Sequence, residues 1–194
     1  MVSKVESMTN NQKIAIVISC SFTLLLLYSI GKYWYADTLY ARGQRDYQFF
    51  QKTQDTQYLI SSFQSLQSAI KLNPSEPAIL ADYAVGAAYL SSAVDTKDLA
   101  VAAATRAVSL SPHHPNYYKS AARVYILLSD LPSAAEVLLQ ATKISPTDPR
   151  IPYNLGLIYE SLNQPDLARQ AYEHSLSLKP DFADAKAILQ KLNP

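Results

Sequence analysis

Apolar residues fall along this chain in two regimes. Residues 14–30 carry no charge at all and include Leu24-Leu25-Leu26-Leu27, followed by Gly31, Lys32 and the cluster Tyr33-Trp34-Tyr35. Residues 14–35 number 22, enough at about 1.5 Å per residue to cross a hydrocarbon layer of about 30 Å. The aromatic cluster suits a membrane–water boundary, and Lys32 can extend its amine to the same level. The pattern predicts a transmembrane helix over 14–35 behind a polar, disordered tail over 1–13. Three other readings meet parts of it: a cleaved signal peptide, for which Ser29-Ile30-Gly31 is a poor cleavage site; a lipoprotein signal at Val17-Ile18-Ser19-Cys20, where the apolar run nevertheless continues for ten residues; and a buried core helix, against which the run lacks a solvent face.

After Tyr35 the regime changes. Residues 37–45 alternate in charge and contain no proline, so the apolar helix is expected to run straight into a second, amphipathic one. Tyr40, Tyr47, Phe49 and Phe50 are then expected to pack on Leu59, Phe63, Leu66 and Ile70. From there the chain is punctuated by prolines at helix starts. His114-Pro115, Glu76-Pro77 and Asp148-Pro149 open first helices, and Pro132 and Pro165 open second ones, with Asp130 and Asn163 as expected caps. Small and aromatic residues recur between them at fixed spacing. Residues 149–182 hold Leu155-Gly156, Tyr159, Ala168, Tyr172 and Pro180. Thirty-four residues earlier stand Ala121-Ala122, Tyr125, Ala134, Leu138 and Pro146, within 115–148. A third copy, 79–114, has Val85-Gly86, Tyr89, Ala100, Ala104 and Pro112, with two extra residues expected in its internal turn, within residues 91–97. Ala69, Leu72 and Pro74 close a fourth, degenerate copy within 36–78.

This spacing of Leu-Gly, Tyr, Ala, an aromatic and a closing Pro over 34 residues resembles the tetratricopeptide repeat. The resemblance implies an all-α fold: a single transmembrane helix followed by an α-solenoid of antiparallel helix pairs, about three and a half repeat units. The more polar stretch 183–194 then serves as a capping helix that closes the open end. Gly156 and Ala168 stand where paired helices cross, and a larger side chain there forces the backbones apart.

Composition narrows the function. The chain of 194 residues is 48% apolar with four glycines, and no Asn-Gly or Asp-Gly hairpin turn occurs. A lone cysteine, Cys20, forms no intramolecular disulfide and no cysteine-rich metal site. From Gly43 onward 13 basic residues meet 14 acidic ones, so no basic stripe marks a nucleic-acid binder. His113, His114 and His174 have no carboxylate or cysteine partner at ligand spacing, and neither a phosphate-binding glycine loop nor a nucleophile elbow is present. No catalytic residue, metal or cofactor is expected, and the chain is read as a non-enzyme.

What remains is recognition. In the tetratricopeptide repeat family, first helices line a concave groove that holds a partner protein or peptide. Carried onto this sequence, the groove positions are Tyr83, Ala87 and Leu90 in one unit, Asn116, Lys119, Arg123 and Leu127 in the next, and Arg150, Tyr153, Asn154 and Leu157 in the last. Lys119 and Asn154 match a lysine and an asparagine that some members use to clamp a terminal carboxylate. Arg123 replaces an asparagine of that clamp, and Asp184 and Ile188 replace its remaining basic residues. The residue reading is therefore a cationic patch of Lys119, Arg123 and Arg150 beside Tyr153, or else ordinary solvated charges. A second resemblance, over 28–77, is to the junction at which some O-antigen ligase-like bacterial membrane proteins pass from their last membrane helix into such repeats. It implies an accessory module for surface-glycan assembly that meets a multispan envelope protein. The expected setting is a single-pass membrane protein, held in the lipid bilayer by residues 14–35, in the bacterial inner membrane. Lys4 and Lys13 on one side against Lys32, Arg42, Arg45 and Lys52 on the other leave its orientation open.

Overall fold

The computed structural model describes residues 9–192, all in helices and short turns with no strand among them. The helices are α1 (Asn10–Thr53), α2 (Thr56–Leu72), α3 (Pro77–Leu90), α4 (Lys97–Leu110), α5 (Pro115–Leu127), α6 (Leu131–Ile144), α7 (Arg150–Ser161), α8 (Pro165–Leu178) and α9 (Ala183–Leu192). They pair in chain order, each even-numbered helix returning against the one before it, and α3 also packs on α5. The core follows this stack in two stretches, one around α3 and α4 and one around α5 to α7.

The apolar stretch and the first repeat helix form one element of 44 residues, as the unbroken run after Tyr35 predicts. α1 begins earlier than expected. Thr9 accepts from the Gln12 backbone while the Gln12 side chain accepts from the Thr9 backbone, a reciprocal cap that draws residues 10–13 out of the expected disordered tail and into the helix. Residues 1–8 of that tail lie outside the described residues. The stretch 14–35 is long and apolar enough to cross a membrane and none of it is buried, which is not how a core helix sits. Burial starts abruptly at Ala36 and continues at Gly43 and Phe50, one residue in seven along a single stripe. Tyr40 and Tyr47 pack into the core with Phe63 and Ile70, as expected. Phe49 instead stays exposed and stacks on Tyr58 at 5.4 Å, and Phe50 turns its edge to Tyr89 at 5.5 Å.

The crossing residues behave as the spacing predicts. A Cβ on Gly156 would lie 2.6 Å from Tyr172 Cδ1, so the bare backbone is what admits the Tyr172 ring. Ala168 is fully buried. Gly43 plays the same part in the degenerate pair, where an added Cβ would meet Leu66 Cγ at 2.8 Å and Ser62 Oγ donates to the Gly43 carbonyl at 2.7 Å. The connection 91–96 carries the expected insertion, and Thr96 seals it by donating to the Ala87 carbonyl at 2.7 Å. The corresponding connections 128–130 and 162–164 are tight turns. Ser129 and Asn163 take left-handed backbone there, with φ of 61° and 56°, while Asp130 N and Gln164 N reach back to the Tyr125 and Tyr159 carbonyls, each at 2.8 Å. Asp130 caps α6 through Ser133 N as expected, but Asn163 does not cap α8, because the turn uses it one step earlier as the left-handed residue. At α7 the Asp148 carboxylate accepts from Arg150 N, so Pro149 precedes the first helical residue rather than occupying it.

Candidate concave site

The odd-numbered helices supply the inner face of the stack. Gln44 on α1 bonds Asp82 on α3 at 3.1 Å, and Arg123 on α5 bonds Tyr89 on α3 at 3.1 Å, which places α1, α3 and α5 side by side. Two cavities open on this face. The first, about 270 Å³, lies between Gln44, Tyr47, Gln48 and Gln51 of α1, Asp82 and Val85 of α3, and Ser120 and Arg123 of α5. The second, about 360 Å³, lies between α5 and α7. Ala122, Leu138 and Ile158 line its apolar interior, and Lys119, Arg123, Asn154 and Ser161 are its polar lining. Ile126 and Leu157 also line it, although 43% and 38% of their surface faces solvent.

Arg123 lines both cavities. Its guanidinium lies 5.7 Å from the ring centres of both Tyr47 and Tyr89. Burial pushes the Tyr47 phenol up to about 12. Burial acts the same way on Tyr89, but the hydrogen bond and charge of Arg123 outweigh it and hold that phenol below its ordinary value. Arg123 is thus a strut between the first and third helix pairs as well as a polar lining group.

The expected cationic patch is not a patch of open charge. Asp148, largely buried, accepts from Lys119 Nζ at 3.0 Å and from Arg150 Nε at 3.1 Å. Burial alone would raise the Asp148 carboxyl, but the Arg150 and Lys119 hydrogen bonds override it and hold it below the usual carboxylate range. With Lys119 paired in this way, the lysine that matches the family's clamp position is neutralised within the chain, as is Arg150 of the expected patch. The reason was not visible in the family positions, because Asp148 sits in the turn between helices.

Of the eleven groove residues expected from the sequence, Lys119, Arg123, Asn154 and Leu157 converge on the second cavity. Tyr83 and Ala87 do not reach the groove at all: they are buried, with Tyr83 stacked on Phe63 of α2 at 4.7 Å. Leu90 is half-buried, Leu127 packs against the core, and Asn116 is exposed outside both cavities. Tyr153 faces the capping end, with its ring 5.8 Å from Tyr172 and 5.0 Å from Phe182. Missing from the expectation were Gln44, Gln48 and Gln51, a polar stripe on the face of α1 beside its buried one. Ile126, Leu131 and Ser161 were also missed, the last two because they belong to a second helix and a helix end. Among the described residues, no group of three or more His, Cys, Asp or Glu is placed to hold a metal.

The comparisons with known proteins agree with this geometry. A family profile described as TPR repeat matches residues 122–163, and one described as tetratricopeptide repeat matches residues 150–182. Residues 122–182 are tetratricopeptide repeats. Among solved structures it is similar to MamA, at a TM-score of 0.59 and 19% identity over 77% of this chain and 76% of that one. It is similar to PilF of Pseudomonas aeruginosa, at 0.61 and 19% over 81% and 68%. It is also similar to YrrB, described as a TPR protein with an unusual peptide-binding site, at 0.57 and 14% over 70% and 68%. No curated protein matches the chain. The profile matches fall on α5 to α8, where the 34-residue register is unbroken, and both the α3–α4 pair, with its two extra residues, and the degenerate α1–α2 pair lie outside them.

Proposed function

We propose that this protein is a single-pass membrane adaptor, without catalytic activity of its own, that holds a segment of a partner protein on its concave face. The observation that carries this reading is the cavity between α5 and α7. Two aliphatic side chains, Ile126 and Leu157, line it while partly exposed to water, next to an amide, Asn154, and the Arg123 guanidinium. An apolar side chain entering there removes apolar surface from water, and the polar lining can bond the backbone that carries it. The exposed stretch 14–35 supports insertion in a bilayer.

The test is affinity capture of the membrane-extracted chain beside an Ile126→Glu/Leu157→Glu variant. Both side chains are part-exposed, so the stack should keep its melting temperature. A discrete partner held by the parent chain and lost from the variant is the expected result. An unchanged set of partners contradicts the groove assignment. The uninterrupted passage of α1 into the repeats is also the arrangement that the O-antigen ligase-like resemblance implies, and recovery of a multispan envelope protein would favour that second reading.

A further inference from the structure

The stack has no neck. Tyr35, the last residue of the apolar stretch, is 54% exposed, whereas Ala36, the next residue, is fully buried in the solenoid. Leu39 and Tyr40 already belong to the core. α1 continues through this boundary as one helix, so no flexible linker separates the repeats from the level at which the apolar surface ends, and the stack leaves that level only when α1 itself tilts in the bilayer.

Helix direction then decides which end of the stack faces that level. α2 runs against α1, since Gly43 meets Leu66 and Asp46 meets Ser61. α3 runs with α1, since Gln44 meets Asp82 and Phe50 meets Tyr89. α5 follows the same direction, and its first turn is close to the boundary. Tyr117 packs with Tyr40 against the same core, six residues before Arg123 as Tyr40 stands seven before the Tyr47 that Arg123 covers, and Tyr117 is in ring contact with His114 at 4.7 Å. Tyr40 stands only five residues past Tyr35, about 7.5 Å of helix. The turns 73–76 and 111–114 therefore sit at the end of the stack from which the apolar stretch leaves, and the turn 145–149 ends the next pair on the same side.

The two ends differ in charge. The far end carries Asp55, Asp95, Asp98, Asp130 and Asp166 at the turns and starts of the returning helices and Glu160 in the last turn of α7, against Lys52 and Lys97. The near end carries Lys71, Lys143 and Lys179 at the ends of those helices, with His113 and His114 in the turn between α4 and α5. Glu76, Asp181 and Asp184 share that end and Asp37 stands at the boundary itself, while Asp148 is paired to Lys119 and Arg150, so the near end is mixed in charge where the far end is predominantly acidic.

We infer that the near end of the stack rests on the membrane surface and recognises anionic phospholipid headgroups through Lys71, Lys143 and Lys179. The inference rests on the reading of residues 14–35 as a membrane span. It makes the solenoid extend along the bilayer, with its helix axes upright and its concave face open sideways to the juxtamembrane segment of a neighbour.

The experiment uses the full chain, with Cys20→Ser, in vesicles that carry a headgroup spin label. One version bears a fluorophore at Thr147→Cys in a near turn, another at Ser92→Cys in a far connection. In phosphatidylcholine with phosphatidylglycerol, quenching of the Thr147 label and not of the Ser92 label is expected. That quenching should be lost in a Lys71→Gln/Lys143→Gln/Lys179→Gln variant, and also without phosphatidylglycerol. If the chain floats with the vesicles but the two labels quench alike, or if quenching ignores both changes, the headgroup contact is overturned and the anchor stands. A chain that does not float overturns both.

Discussion

At the residue scale, the contrast among glycines is sharp enough to test. Gly156 has the Tyr172 ring against it, whereas a Cβ on Gly86 would meet only Phe63, at an ordinary 3.7 Å. Gly86→Ala should therefore leave stability unchanged or raise it by up to about 1 kcal/mol, through lower unfolded-state entropy and better helix propensity. Gly156→Leu and Ala168→Leu should each cost about 1–3 kcal/mol by overpacking. Thermal unfolding followed by circular dichroism reads all three, and equal melting of parent, Gly156→Leu and Ala168→Leu would remove the helix-crossing account. The left-handed turns give a second contrast. Ser129→Gly should stabilise by about 1 kcal/mol, because serine pays for φ > 0 where glycine does not. Asn163→Gly should gain less, since asparagine tolerates that conformation. The opposite ranking in urea unfolding would count against the turn geometry.

The element scale shows what sequence could and could not reveal. The last two repeats were legible because a fixed spacing of small and aromatic residues leaves little freedom in how helices cross. Gly43 was not legible by the same rule. Gly156 precedes its partner Tyr172 by 16 residues, but Gly43 precedes Leu66 by 23. The extra seven residues are about two helical turns, which preserve the face while hiding the motif. Groove residues were harder still. Tyr83 and Ala87 occupy family groove positions, but both are buried, Tyr83 under Phe63 of the degenerate pair. The same pair brings Tyr47 under Arg123, making this expected groove cation a packing element as well as a lining group of the cavity. Arg123→Met should thus cost about 1 kcal/mol through the lost cation–π and hydrogen bonds. It should also speed hydrogen exchange across residues 36–53. Exchange unchanged in that segment, with stability intact, would show that Arg123 does not tie α1 to α5.

At the scale of the whole molecule, the units are tied by charge as well as by apolar packing. Asp148 joins α5 to the start of α7, and its carboxyl titrates below its ordinary value near 3.8. A depressed folded-state value adds stability above the unfolded value, and that stability disappears as pH falls through the folded one. The parent chain should therefore lose stability below pH about 4 more steeply than Asp148→Asn, which should already be less stable at neutral pH by about 1 kcal/mol. Parallel pH profiles for the two proteins would contradict this. The larger claim is that the concave face, and not the outer one, holds the partner. The most direct measurement places a photo-crosslinking residue at Asn154 in the α5–α7 cavity and, separately, at Gln170 on the outer surface of α8, in chains expressed in their own membrane. One discrete adduct from Asn154 and none from Gln170 is the predicted result. The same adduct from both positions, or from Gln170 alone, would contradict the account.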